Sequence, residues 1–220
     1  MPGNRKPYIG MGMEGRIAAW YAKNTRKDMV EFQNLADRLA RDLAVHSHIL
    51  EVAPGPGYLS IELAKRGQFE VAGLDISKTF VEIARENARR DSVSVDFHLG
   101  DASAMPFAGE TFDLVVCRAA FKNFSRPQEA IDEMFRVLKL GGRAIIIDLS
   151  KNASMKEVDR YIERLGVGCL NSLFMKFTFR YMLMPRAYSE SEIESFASRS
   201  KFGKIEIVSK PLGFEAVLNK

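Results

Sequence analysis

The chain has 220 residues, 46% hydrophobic and 27% charged, the balance of a globular protein whose core needs no disulfide staples. Its net charge of +4 is spread over both signs, with only short basic pairs such as Arg5-Lys6 and Arg89-Arg90, which argues against a nucleic-acid partner, and no apolar run is long enough for an integral membrane segment. Two cysteines, Cys117 and Cys169, and three histidines lack metal-ligand spacing, so no metal is expected, and a polar N-terminus adds a cytoplasmic expectation.

Residues 1–10 read as a loose arm, followed by a helix over Glu14–Tyr21. Met29, Phe32, Leu35, Leu39 and Leu43 recur at helical spacing and predict a second helix. His48–Ala53 is the first strand. The turn Pro54-Gly55-Pro56-Gly57 follows, then a helix over Tyr58–Lys65. Phe69–Leu74 reads as a strand ending at Asp75, with Ser77 as N-cap of a helix through Arg90. Val93–Leu99 and Asp113–Cys117 are the third and fourth strands. Ser125–Gln128 has capping-box spacing with Pro127 in the first turn, and Gly141-Gly142 is expected to end that helix before a fifth strand, Arg143–Leu149.

The rhythm then breaks. Ser154–Glu157 and Ser189–Glu192 are capping-box signals, and between them Cys169–Tyr188 is dense in aromatics, leucines and methionines. Lys204–Ser209 and Phe214–Leu218 suggest an antiparallel hairpin at a sheet edge. Continuous apolar strands alternating with amphipathic helices predict an α/β fold: a doubly wound, mostly parallel seven-stranded sheet with a C-terminal antiparallel hairpin and a helical cap. The parts within this one domain are an N-terminal arm and cover helices (1–47), a ligand-binding core (48–150), an aromatic cap (151–200) and the hairpin (201–220).

Glu51, Gly55, Gly57, Asp75 and Asp101 fall at or just beyond the carboxyl ends of the first three strands, the edge where ligands bind in such sheets. The two glycines allow a sharp turn with no side chain between backbone and ligand. A dinucleotide turn requires a third glycine, where Ser60 stands here. Glu51 would also repel a diphosphate, whereas it would attract a cation. S-adenosylmethionine carries a sulfonium and an ammonium and no phosphate, so it suits the site better.

Glu51-Val-Ala-Pro-Gly-Pro-Gly57, Gly73-Leu-Asp75-Ile-Ser77, Gly100-Asp101-Ala102, Phe112–Cys117 and Phe135–Arg143 resemble, as an ordered set, the motifs of class I S-adenosylmethionine-dependent methyltransferases. Asp101–Phe107, Lys122-Asn123-Phe124 and Asp148-Leu149-Ser150 are similar to UbiE-like quinone-biosynthesis C-methyltransferases. The resemblance implies that the backbone at Ala53, Pro54, Gly55 and Gly57 lies against the methionine part, with Glu51 near its ammonium. Asp75 would hold the ribose, Ile76 would pack on adenine, and Asp101 and Ala102 would bind the adenine edge. Cys117 and Arg118 would flank the methionine moiety and reaction centre. Ala53 stands where the family usually has glycine, a methyl group that is tolerated if φ is negative.

Acceptor-binding candidates lie outside this core: Tyr8, Trp20 and Tyr21 near the N-terminus, Phe121 after the fourth strand, and Tyr181 in the aromatic insert. Tyr21 either reaches the methionine carboxylate or packs on the sheet. The insert either lines an apolar pocket or forms a small core or dimer contact of its own, which leaves a homo-oligomer open. His98 reads as an ordinary strand residue, and neither it nor Asp148 carries a general-base signature. The expected function is methyl transfer to a small apolar or aromatic acceptor, quinone- or lipid-like. A different small metabolite, or a non-catalytic S-adenosylmethionine-binding protein, remains an alternative.

Overall fold

The computed structural model describes residues 12–220. Seven strands form one sheet in the order β3-β2-β1-β4-β5-β7-β6: β1 His48–Val52, β2 Glu70–Asp75, β3 Asp96–Leu99, β4 Phe112–Arg118, β5 Leu138–Leu149, β6 Lys204–Lys210 and β7 Gly213–Asn219. The first five run parallel, and β7 enters antiparallel between β5 and the edge strand β6.

Side-chain alternation along the central strands decides which cores form. Ile49, Leu114, Val116 and Ile145 share one face with Phe32, Ala36 and Leu39 of α2 (Met29–Ala40) and Leu59 and Leu63 of α3 (Tyr58–Lys65). Leu50, Val52, Val115, Cys117 and Ile146 share the other with α5 (Pro127–Val137) and α8 (Glu190–Ser198). Both faces are dry, so these strands are apolar throughout rather than alternating with polar residues. The remaining helices are α1 Gly15–Thr25, α4 Lys78–Arg90, α6 Met155–Arg164 and α7 Cys169–Thr178. The last continues through a π turn, Phe179–Leu183, and a 3-10 turn, Met184–Arg186.

The doubly wound architecture expected from the sequence is therefore present, and both capping boxes in the cap region form. Ser154 and Ser189 each accept from the backbone N–H three residues on at 3.2 Å, while Glu157 and Glu192 accept from the serine N–H at 2.8 Å. The expected box at Ser125 does not form. Arg126 is the N-cap of α5, without a side-chain cap bond, and Pro127 starts the helix.

The glycine pair is also not the end of α5. Extended backbone begins at Leu138, and Gly141-Gly142 lie inside β5, within the register shift against β4 between Leu138 and Arg143. A Cβ on Gly142 would sit 3.0 Å from the carbonyl oxygens of Asp113 and Lys139. The glycine serves a close approach of backbones, which local sequence reads as a stop signal.

Candidate functional site

The order of strands reverses direction between β1 and β4, and a cavity of about 690 Å³ opens at their carboxyl ends. Its size falls within the usual range for a ligand site, about 300–1,000 Å³. The floor comes from the strand ends, and α1 and the segment after α7 supply the cover.

Glu51, near the end of β1, is the most buried acid lining the cavity, 3% exposed. Its Oε2 accepts from the Ser60 N–H at 2.8 Å and from the Ser60 hydroxyl. Ser60, which on sequence was only a missing glycine, is thus the donor that holds this carboxyl. No described residue donates to Oε1. Burial raises the Glu51 pKa to about 7, against the opposing pull of the Ser60 bonds and of Arg118.

The turn after β1 divides its labour. Gly55 (φ +55) borders the cavity, and a Cβ there would meet only the Phe80 ring at 4.0 Å. Gly57 (φ +79) is not on the cavity wall. A Cβ there would stand 2.7 Å from Phe97 and 2.9 Å from Ala84, so glycine at this position lets the turn seat against β3 and α4. Ala53 departs from its expected conformation: its φ is +56, in the left-handed region, as is Ala119 at +58. Both alanines line the cavity. A non-glycine residue held there stores backbone strain of about 1–2 kcal/mol.

Asp75 closes the turn. Its two oxygens accept from Gly55 N–H and Ser77 N–H, each at 2.9 Å. Burial raises its pKa, while those two bonds lower it. Ile76, Asp101 and Ala102 line the same wall. Asp101 accepts from the Ser103 N–H and hydroxyl at 2.9 and 2.7 Å and pairs with Arg126 at 2.6 Å. Burial pushes its pKa up, yet these bonds together hold it below the ordinary carboxylate value.

Pro54, Trp20, Tyr21 and Arg118 also line the cavity. Arg118 lies 4.5 Å over the Phe32 ring and pairs with Glu31 at 3.1 Å. Three other sequence candidates lie elsewhere. Cys117 is fully buried in the core on the α5 side of the sheet and does not line the cavity, whereas the next residue, Arg118, does. Phe121 is fully buried among Phe124, Tyr188 and Phe196, at ring distances of 5.3, 5.6 and 6.2 Å. Tyr181 points outward, 59% exposed, since the π turn sends Phe179, Met182 and Leu183 inward in its place. Tyr8 lies outside the described residues. His98 is on β3, with Nε2 2.8 Å from Asp96.

Sequence reasoning missed the attachment of α1. The Glu14 carboxylate accepts from the N–H groups of Lys78 and Thr79 at 3.1 Å each and from the Thr79 hydroxyl, so it satisfies the two N–H groups at the start of α4 that the Ser77 cap on Phe80 leaves over. At the other end of α1, the Tyr58 hydroxyl donates to Ala22 O at 2.9 Å. The cover is therefore pinned over the cavity at both ends. An isolated glutamate carries no local signal for a partner 65 residues away. Lys122 and Asp148, also on the wall, stand out on sequence only within the UbiE-like motifs, and nothing local signals that they pair with each other.

Residues 50–146 match the family model described as "Methyltransferase domain". Among curated proteins, the chain is 36% identical to a demethylmenaquinone methyltransferase of Deinococcus radiodurans, over 52% of this chain and 49% of that one. It is 33% identical to the demethylmenaquinone methyltransferase of Chlorobaculum parvum, over 71% and 62%. The chain thus spans about half to three fifths of the length of these relatives. Among solved structures, a Methanococcus maripaludis protein superposes with a TM-score of 0.76 at 20% identity, covering 100% of this chain and 97% of that one. A SAM-dependent methyltransferase from Aquifex aeolicus does so with 0.64 at 16%, covering 86% and 97%. At these identities the two structures speak to the shared fold.

Proposed function

We propose that this chain, whose residues 50–146 match a methyltransferase domain, is a class I S-adenosylmethionine-dependent methyltransferase that transfers the methyl group of S-adenosylmethionine to a small, largely apolar, quinone-like acceptor. The carrying observation is a single cavity whose floor and cover differ in chemistry. Glu51, Asp75 and Asp101 stand on the side of the strand ends, and Ile17, Trp20, Phe179, Met182 and Leu183 in the cover.

The acidic floor suits a cationic nucleoside. The free Oε1 of Glu51 is offered to an ammonium, and the spare lone pairs of Asp75 to the ribose hydroxyls. Ile76 has 38% of its surface exposed at the cavity, room for an adenine face, with Asp101 and Ala102 at its edge. Ala53, Pro54 and Gly55 then pass close to the methionine portion, with Tyr21 and Arg118 beside it. Bound S-adenosylmethionine supplies an already activated methyl group. What the protein contributes is alignment of the acceptor with that methyl and exclusion of water by α1 and the cap. The names of the relatives support a quinone ring as the acceptor.

The test is calorimetric titration with S-adenosylmethionine, followed by transfer of labelled methyl to a demethylated naphthoquinol. Binding by the wild type, at least about tenfold weaker in Asp75→Ala, with label appearing in the quinol, supports the proposal. Binding without label in the quinol, but with label in another component of a metabolite extract, moves the acceptor to a different small molecule. Binding with no transfer at all leaves a cofactor-binding protein.

A further inference from the structure

The segment that closes the cavity has a second face. Thr178, Phe179, Met182 and Leu183 turn inward, while Leu173, Phe174, Phe177 and Tyr181 are 67%, 66%, 55% and 59% exposed. Their spacing places them on one stripe of a helix. Phe177 and Tyr181 pack on each other at 4.9 Å, with Arg180 5.6 Å over the tyrosine ring. In the same cover, α1 exposes Ile17 and Trp20 at 42% and 64%, and both also line the cavity. Large aromatic side chains are therefore left in water on both of these segments.

The charge of the two segments is one-sided. Residues 15–27 contain Arg16, Lys23, Arg26 and Lys27, and residues 164–186 contain Arg164, Lys176, Arg180 and Arg186. No acid falls within either segment; Glu14, Asp28 and Glu163 border them, and Glu14 is held by the start of α4. Of these cations only Lys176 has an ion-pair partner among the described residues, Asp159 at 2.8 Å. Elsewhere on this protein cations are paired freely, as Arg66 is with Asp37 and Glu62.

From this juxtaposition we propose that the face formed by α1 and α7 docks on an anionic lipid surface, so that the cavity opens towards the membrane. Aromatic and aliphatic side chains ringed by unpaired Lys and Arg are the composition that binds the headgroup boundary, the apolar groups inserting and the cations meeting lipid phosphates. No helix among the described residues is long and apolar enough to cross a membrane, so the attachment is peripheral. A symmetric pair of copies meeting through this face would set cations against cations. Docking rests on exposure and charge; its use, to pass an apolar acceptor between bilayer and cavity, rests on the function proposed above.

Sedimentation with vesicles tests it, using phosphatidylcholine alone and phosphatidylcholine mixed with phosphatidylglycerol. The expected result is binding to the mixed vesicles at least about tenfold tighter than to the neutral ones, reversed by high salt. Phe174→Ser/Phe177→Ser and Arg180→Glu should each weaken it several-fold, with unchanged thermal midpoint and unchanged S-adenosylmethionine affinity, because these side chains lie outside the cavity. No vesicle binding, equal binding to both compositions, or binding untouched by these substitutions overturns the proposal. So does a dimer in light scattering that Phe174→Ser/Phe177→Ser dissolves. S-adenosylmethionine titration of the same preparations separates failure of docking from failure of the cofactor site.

Discussion

Lys122 and Asp148 form an ion pair in the wall of the cavity, Nζ to Oδ1 at 2.7 Å, with side-chain exposures of only 8% and 2%. They are 26 residues apart and meet because β4 and β5 lie side by side. Asp148 also accepts from the N–H groups of Lys122 at 3.0 Å and Leu149 at 2.7 Å, and Lys122 Nζ donates to Ala119 O at 2.6 Å. The pair ties the left-handed turn at Ala119 to the end of β5.

A buried pair of this kind is costly to break and cheap to replace. Asp148→Leu leaves the Lys122 ammonium buried without its counter-charge and should lower the unfolding free energy by about 3–5 kcal/mol. Adding Lys122→Met to that variant should recover most of the loss, because no charge then remains to be desolvated. Urea denaturation of the two single variants and the double variant checks this. Additive losses would place the stabilisation outside the pair.

Glu51 makes both folding and cofactor affinity depend on pH. Its folded pKa is raised from 4.5 to about 7 by burial. The protonated form is therefore favoured in the folded state, and this contribution to stability is complete below pH 4.5 and lost as pH rises towards 7. The swing is on the order of 3 kcal/mol. A cationic ligand beside Oε1 favours the ionised form, so its affinity should rise with pH up to about 7, by at most about tenfold per unit. Glu51→Gln should flatten both profiles. Titrations between pH 5 and about 8 measure this, and a wild-type affinity independent of pH would detach Glu51 from the ammonium.

Ala53 offers a stability test of the turn. At φ +56 its methyl group is strained by about 1–2 kcal/mol, whereas glycine adopts this conformation freely. Ala53→Gly relieves that strain but increases the freedom of the unfolded chain, at a cost of about 0.4–1 kcal/mol. The expected outcome is a stability unchanged or raised by up to about 1.6 kcal/mol. Ala84→Gly, inside α4 and fully buried, should instead destabilise by about 1 kcal/mol or more. A loss at Ala53 equal to that at Ala84 would mean the turn tolerates the alanine without strain.

Much of the core was legible in the chain itself, for local reasons. Apolar runs such as Leu114-Val115-Val116 read as strands buried on two faces, and the spacing Ser154 to Glu157 reads as a capping box, and both form. The alternation of such strands with helices dictates the parallel sheet, and its strand ends then place Glu51, Asp75 and Asp101 together. Where reading failed, the deciding contact was remote. Gly141-Gly142 looked like a helix stop, but the carbonyl of Asp113 across the sheet made glycine necessary within a strand.

Side-chain direction was the other gap. Tyr181 and Phe179 are two residues apart in the same aromatic insert, and only the π turn decides that Phe179 faces the cavity and Tyr181 the solvent. Ser60, Glu14, Lys122 and Asp148 acquired their roles from partners at 9, 65 and 26 residues' separation. Sequence alone determined which strands end in acids and that a glycine turn lies among them, because periodicity and turn chemistry are local. The tertiary structure decided which acid keeps a free oxygen, which glycine borders the cavity, and which aromatics meet water, because those depend on packing between distant segments.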